Sequence, residues 1–351
     1  MSDTQGSQPV ENVLRIRNLH TYFYTDIGVS KALNGVNLDI PARKVLGLVG
    51  ESGCGKSVTA LSCMRLVQKP GKIIKGDIKL YTRPKPGKNG GSVEEVDILS
   101  LDPDGEKIRS IRGEEMAMIF QEPMTSLNPS YTIGDQILEA ILLHQNVDRA
   151  EGERRTVDIL DRVGMANPKA IVKRYPHELS GGMRQRAMIA MGLSCAPSVL
   201  FADEPTTALD VTTEAQILDL MRELQAQLGM SIVFITHNLG VVAQMCDYVA
   251  VMYLGRIVEQ TDVYSLFYDP KHPYTRALLN SIPHAGSRER KRLQPIKGVV
   301  PDPYATIPGC PFHPRCVSYM PGKCDVAVPA VTQIKEGHDV RCFLYTDEVE
   351  E

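Results

Sequence analysis

Residues 50–57 read Gly50-Glu51-Ser52-Gly53-Cys54-Gly55-Lys56-Ser57, a glycine, four residues, then Gly-Lys-Ser. That spacing is the pattern of a phosphate-cradling loop. Gly50, Gly53 and Gly55 let backbone N–H groups turn inward toward phosphate oxygens, and a following helix presents its positive N-terminus. Lys56 can place a charge on the β- and γ-phosphates of a nucleotide, and Ser57 offers a hydroxyl to Mg²⁺. Farther on, the apolar run Val199-Leu200-Phe201-Ala202 ends in Asp203-Glu204, where a carboxylate can hold a magnesium shell. The apolar run Ser231–Thr236 ends at His237. Ser180-Gly181-Gly182 stands before a helical stretch and makes a second anion-binding nest. Cys310, Cys316, Cys324 and Cys342 cluster near the C-terminus.

The elements that must position these residues alternate between strand and helix. Val13–Tyr24 and Lys31–Ile40 have strand character, with Asn34-Gly35 expected as a turn between strand segments. Val45–Val49 reads as a buried parallel strand that ends at the glycine loop, followed by a helix over Ser57–Val67. Residues 82–110, rich in proline and glycine, read largely as a loop insertion. Met116–Phe120 reads as a strand leading to Gln121, with helices over Ile133–Gln145, Ala150–Gly164 and Thr213–Leu228. This order predicts an α/β fold with a mostly parallel sheet and reactive residues at the C-terminal ends of its strands.

Bulk properties bound the function. The 351 residues suffice for one large domain and a smaller one, and 43% hydrophobic content is ordinary for a globular chain. A net charge of −3 argues against a strongly basic nucleic-acid surface. No stretch approaches the roughly 20 apolar residues that span a bilayer, so membrane association is expected through partners. Met1–Asn12 is polar, lacks a secretory pattern, and reads as a disordered lead.

Leu179-Ser180-Gly181-Gly182-Met183 closely resembles the signature motif of ATP-binding cassette (ABC) ATPases. The resemblance implies a P-loop ABC ATPase core with an antiparallel β subdomain, an inserted helical subdomain at about 125–178, and a nucleotide-binding domain over 13–265. It implies a catalytic Glu204 that polarises water, a γ-phosphate switch at His237, and a Q-loop glutamine at Gln121 that touches Mg²⁺ or the lytic water. Mg²⁺ would be held by Ser57, Gln121 and Asp203. The ATP contacts would come from Gly50, Ser52, Gly53, Cys54, Gly55, Lys56, Ser57 and Val58, with Phe23 stacked on adenine and Tyr22 and Tyr24 as neighbours. Ser180, Gly181, Gly182 and Met183 would bind the ATP of a second ATPase subunit, and Met183 stands where many members carry glutamine. Pro205–Asp210 resembles the D-loop, with Asp210 its last residue.

Three segments narrow the resemblance: Leu179–Ala190, Glu122–Pro129, and Asp269-Pro270-Lys271-His272-Pro273-Tyr274-Thr275. Together they are similar to the ATP-binding subunits of bacterial and archaeal oligopeptide/dipeptide importers. Such a subunit sits on the cytoplasmic face of the membrane beneath two permeases, beside a second and often different ATPase, and an extracytoplasmic binding protein delivers the substrate. Thr125–Gln136 is the expected surface for the permeases. Related importers carry nickel or oligosaccharides. A soluble ABC ATPase acting on DNA or ribosomes is a second class, but the double cassettes, coiled coils and inserted zinc modules of such proteins do not occur here. A nonhydrolytic regulatory cassette is a third, opposed by Glu204 and His237.

In the 266–351 extension the cysteine gaps hold five, seven and seventeen residues. No Cys-x₂₋₄-Cys pair of a zinc knuckle occurs, and thiolates suit zinc or iron–sulfur. The resemblance to dipeptide-type subunits implies a [4Fe–4S] cluster on Cys310, Cys316, Cys324 and Cys342, with Zn²⁺ as the alternative. Its expected role is a structural staple, with redox sensing as a sharper alternative. Cys54 reads as a tolerated small residue whose thiol could make ATP binding sensitive to alkylation.

Overall fold

The computed structural model describes residues 11–82, 93–121, 126–207, 209–281 and 296–350. The expected disordered lead therefore lies almost wholly outside the described residues. In chain order, β1 (Asn12–Thr25) and β2 (Gly28–Pro41) precede β3 (Val45–Val49) and α1 (Lys56–Cys63). There follow β4 (Gly71–Tyr81), β5 (Glu95–Asp97), α2 (Glu106–Glu114) and β6 (Met116–Ile119). Helices α3 (Ile133–His144), α4 (Arg149–Arg162), α5 (Pro168–Ile171) and α6 (Gly181–Leu193) come next. After them run β7 (Val199–Asp203), α7 (Val211–Leu228), β8 (Ser231–Thr236) and α8 (Leu239–Met245). The chain closes with β9 (Tyr248–Tyr253), β10 (Arg256–Asp262), α9 (Val263–Tyr268), α10 (Pro273–Asn280), β11 (Thr332–Lys335) and β12 (His338–Val340). No helix of the described residues is long and apolar enough to cross a membrane.

The chain forms two compact units. The first comprises residues up to Arg15, Asp39–Val45 and Lys79–Phe234. Its strands lie in the order β8-β7-β6, and β6 runs parallel to β7 with Met116 opposite Val199 and Ile119 opposite Ala202. All five residues of β7 are buried, which explains its unbroken apolar reading. Helix α3 buries Ile133, Ile137 and Ile141, one face at helical spacing, and α4 buries Gly152, Thr156, Ile159 and Leu160. Thr132 and Asp148 start these helices by accepting the N–H of Asp135 and Glu151.

The second unit comprises Ile16–Leu38, Leu46–Ile78 and Ile235–Glu351. One sheet has the order β11-β12-β10-β9-β3. Strand β3 is parallel to β9, with Leu46 opposite Tyr248 and Val49 opposite Val251. Strand β10 pairs antiparallel with β9 on one side and β12 on the other. The C-terminal segment thus extends the sheet that carries the glycine loop.

Two expectations are corrected. Asn34-Gly35 is not a turn, since β2 runs unbroken and the chain reverses at Asp26-Ile27. Asn34 N–H finds a partner in the Gly255 carbonyl at 2.9 Å, and Gly35 takes φ 83° within the strand. Leu33 and Val36 are both buried, although their spacing breaks the alternation. Within the expected 82–110 insertion, 83–92 lie outside the described residues, but the remainder is ordered. Strand β5 pairs antiparallel with β4, and α2 begins at Glu106.

A buried polar network fixes the C-terminal segment within the second unit. Glu259, fully buried on β10, accepts the N–H of Lys271 at 2.7 Å and of His272 at 2.8 Å, and pairs with His338 Nε2 at 2.8 Å. His272 caps α10: its Nδ1 accepts the Tyr274 N–H at 3.1 Å, so this nitrogen must carry no proton. Burial, helped by the Arg276 charge, pushes the His272 pKa down from 6.5 to about 3. Below pH 6.5 the unfolded chain takes up a proton that the folded chain refuses until about pH 3. This contribution is complete above pH 6.5 and falls by about 1.4 kcal/mol per pH unit as the solution is acidified. His272→Asn keeps a cap acceptor and removes the titration. Between pH 7 and 5 the wild type should lose about 2 kcal/mol more unfolding free energy than the variant in urea titrations. Equal losses would show that His272 does not carry the effect.

Candidate active site

The glycine loop follows β3 in the second unit, and two of its glycines are sterically required. A Cβ on Gly50 (φ 155°) would lie 2.2 Å from the Met252 carbonyl oxygen, and one on Gly55 (φ 111°) 2.5 Å from that of Ala32. Lys56 is buried and its Nζ donates to the carbonyls of Gly50 at 2.8 Å and Glu51 at 3.0 Å, which curls the loop over the start of α1. Ser52 and Gly53 are exposed at the loop's crest, while Ser57 and Val58 are half-buried in the first turn of α1. Gly53 sits at φ 76° with open space beside it.

Phe23 lies on β1, its ring edge against Gly71, where a Cβ would sit 2.7 Å from Cε1. Thr21, on the same side of the strand, bonds the Ser62 hydroxyl of α1 at 2.9 Å. Tyr24, by contrast, is exposed with Lys72 Nζ 5.6 Å from its ring, and Tyr22 bonds Asn34. His237 is exposed at the end of β8. A cleft of about 450 Å³ in this unit is lined by Gly50, Glu51, His237, Leu278, Gly298 and Arg315.

The first unit holds the other expected residues. Asp203 is buried at the end of β7. Glu204 adopts φ 46°, a left-handed conformation uncommon for a non-glycine residue and characteristic of functional turns. Its Oε2 accepts from Gln121 Nε2 at 2.9 Å and from the Thr207 hydroxyl at 3.0 Å. The structure therefore brings Gln121 and Glu204 together, and adds Thr207, which the sequence did not single out. Ser180 is exposed at the start of α6 and accepts the Met183 N–H at 3.4 Å, so Met183 contributes its backbone there. Open space lies beside Gly181. Asp210 caps α7 by accepting the Thr213 N–H at 3.0 Å and hydroxyl at 2.7 Å, and the Thr213 N–H contributes most to lowering its pKa. Its neighbour in the expected D-loop, Ala208, lies outside the described residues, as do 122–125 after Gln121.

Arg315 and Glu51 were not identified as a pair in the sequence. Arg315 reaches Glu51 with both terminal nitrogens, at 2.7 and 3.0 Å. Beneath them Tyr274 accepts the Glu51 N–H at 2.9 Å, and Phe312 meets Tyr253 and Tyr274 at ring distances of 5.2 and 5.3 Å.

The C-terminal cysteines are not assembled as expected. Among the described residues no three of His, Cys, Asp and Glu come together in an arrangement that could hold a metal ion. No cysteine forms a disulfide. Cys310, Cys316, Cys324 and Cys342 are nevertheless near enough to influence ionisation within the group. Burial, with the neighbouring thiols adding to it, pushes Cys310 up to about 12 and Cys342 up to about 11.

Known proteins resemble this chain along most of its length. The "ABC transporter" family model matches residues 33–207, and "Oligopeptide/dipeptide transporter, C-terminal region" matches 258–324. A dimeric post-hydrolysis ATP-binding cassette, MJ0796 bound to ADP and Pi, superposes with TM-score 0.60 at 23% identity, over 71% of this chain and 98% of that one. cbiO1 from Clostridium perfringens gives TM-score 0.58 at 27% identity, over 74% and 92%. The fold is that of an ABC cassette, and the chain is an ABC-type ATPase. Among curated relatives, "Oligopeptide transport ATP-binding protein AppD" of Bacillus subtilis is 48% identical, covering 97% of this chain and 98% of its own. "Probable peptide ABC transporter ATP-binding protein y4tR" of Sinorhizobium fredii is 46% identical over 97% of both chains. "Dipeptide transport ATP-binding protein DppD" of Escherichia coli is 39% identical over 96% and 98%. The chain belongs to the family of ATP-binding subunits of peptide ABC transporters.

The Cys54 thiol is buried against the loop and burial raises its pKa, although Lys56 opposes this. A protonated, covered thiol is a poor nucleophile. Iodoacetamide should leave Cys54 unmodified in the native protein and react after denaturation, as read by peptide mass spectrometry. Rapid native-state modification would show that the loop opens.

Proposed function

We propose that this chain binds ATP through its glycine loop and hydrolyses it to power peptide import across a membrane, paired with a second ATPase subunit. The observation that carries this reading is the loop itself: strand, three constrained glycines, a buried lysine and a helix N-terminus, the arrangement that binds a triphosphate. Lys56 and His237 contact the β- and γ-phosphates, Phe23 stacks on adenine, and Gly50, Ser52–Gly55, Ser57 and Val58 complete the nucleotide contacts. Ser57, Asp203 and Gln121 offer hydroxyl, carboxylate and amide oxygens, a hard donor set suited to Mg²⁺. Mg²⁺, when bound, neutralises charge on the phosphates. Glu204 orients the attacking water, and the Gln121 amide holds that carboxylate in place. Ser180, Gly181, Gly182 and the Met183 N–H bind the γ-phosphate of ATP held by the second subunit, with the Asp210 loop between the two sites.

The division proposed is a nucleotide-binding domain over 13–265, with its helical part near 125–178, and an extension over 266–351. The names of the relatives favour peptides over nickel or oligosaccharides as cargo. The chain would lie on the cytoplasmic face, beneath two permeases served by an extracytoplasmic binding protein. Thr125–Gln136 is the proposed permease surface, although Thr125 lies outside the described residues. A cleft of about 400 Å³ beginning at Gly134 and Asp135, and bordered by Leu138 and Arg149, supports that choice.

Glu204→Gln should lower ATP turnover about a hundredfold or more while ATP binding persists. Full activity in that variant would overturn the assigned chemistry. We further propose that Cys310, Cys316, Cys324 and Cys342 take up a [4Fe–4S] cluster. Their spacing supports it, although the described arrangement is not itself a ligand set. Anaerobically purified chain should carry about four iron and four sulfide, lost on Cys316→Ser. Stoichiometric zinc without sulfide would make the segment a zinc clip, and neither metal would refute both.

A further inference from the structure

The glycine loop carries one carboxylate, Glu51, that phosphate binding does not use. A negative charge there opposes a triphosphate unless something neutralises it. Arg315, whose side chain is 4% exposed, meets it in a two-pronged ion pair. The rest of the guanidinium is also fixed. Its Nε donates to the Lys297 carbonyl at 3.0 Å, and Nη1 lies 3.4 Å from the Tyr253 hydroxyl. The Glu51 backbone is held too, its N–H by Tyr274 and its carbonyl by Lys56. Two of these holds, Arg315 and Tyr274, come from beyond β10, and the pair lines the same cleft as Gly50 and His237.

We propose that Arg315 is a positioning residue for the phosphate loop, through which the C-terminal extension neutralises Glu51 and fixes the loop in its ATP-accepting form. The proposal rests on the ATP reading of that loop. Without Arg315 a part-buried carboxylate is stranded beside the triphosphate, and the loop loses a fixed point. Lysine at 315 restores charge but not the fork. Without Glu51 the arginine cation remains, and it favours the nucleotide.

The test is titration of full-length chain with ATP·Mg²⁺, comparing wild type with Arg315→Gln, Arg315→Lys, Glu51→Gln and the double variant Glu51→Gln/Arg315→Gln. Arg315→Gln should raise Kd about tenfold or more, and Arg315→Lys should recover part of that loss. Glu51→Gln should bind more tightly than wild type, and the double variant more tightly than Arg315→Gln alone. A purely mechanical prop would make Glu51→Gln and Arg315→Gln weaken binding alike, with no recovery in the double variant; that result overturns the proposal, as does equal binding by all. If Arg315→Gln fails to fold, Glu51→Gln and Arg315→Lys still decide the sign. A Lys56→Ala control that binds as tightly as wild type would instead show that the ATP reading has failed, and this proposal with it.

Discussion

The glycine loop of the second unit can close only without side chains at two positions. At Gly50 and Gly55 a Cβ would collide with the carbonyls of Met252 and Ala32. Those carbonyls belong to β9 and β2, so the strands set the shape of the loop from both sides. Strand β3 before the loop is buried along its whole length, and Gly47 packs against α8, where a Cβ would sit 2.9 Å from Cys246 Sγ. Close packing leaves the loop few alternatives, and Lys56 then occupies its concave side through two carbonyls.

The C-terminal segment takes part in this arrangement through polar groups. A buried carboxylate such as Glu259 is tolerable only when its lone pairs are filled. Two backbone N–H groups of the Lys271-His272 turn and the imidazole of His338 fill them. That network places α10, and α10 carries Tyr274 to the underside of the glycine loop. One polar knot thus connects β10, β12 and the start of α10, and its geometry reaches the Glu51 N–H through the Tyr274 hydroxyl.

The sequence revealed what periodicity and motif spacing encode. Strands β3, β7 and β8 were readable because both faces are buried and the apolar runs are unbroken, and Gln121 and Glu204, named one by one through the family resemblance, prove to share a hydrogen bond. Strand β5 was not readable: three residues, only the middle one buried, leave no period to detect. The Asn34-Gly35 pair misled because the local turn signal competes with a tertiary partner, the Gly255 carbonyl. Asp210 was assigned to a loop role, and the structure shows its side chain capping α7. The Arg315–Glu51 pair was invisible for a plainer reason. Its partners are 264 residues apart, and no local spacing links them.

That separation has a physical consequence. Polar contacts to a nucleotide usually come from neutral backbone groups and cations, because these need no compensation near a triphosphate. A glutamate in the loop departs from that economy and makes the local charge depend on a distant residue. The dependence is geometric as well as electrostatic. A guanidinium held at Lys297, Tyr253 and both Glu51 oxygens has one orientation, and it ties the 313–315 turn to the loop. Cys316 follows that turn immediately, and Phe312 precedes it within the Tyr253–Tyr274 aromatic cluster. The cysteine-bearing segment and the phosphate loop are therefore neighbours in one packed structure, joined by a salt bridge whose loss would be felt at both ends.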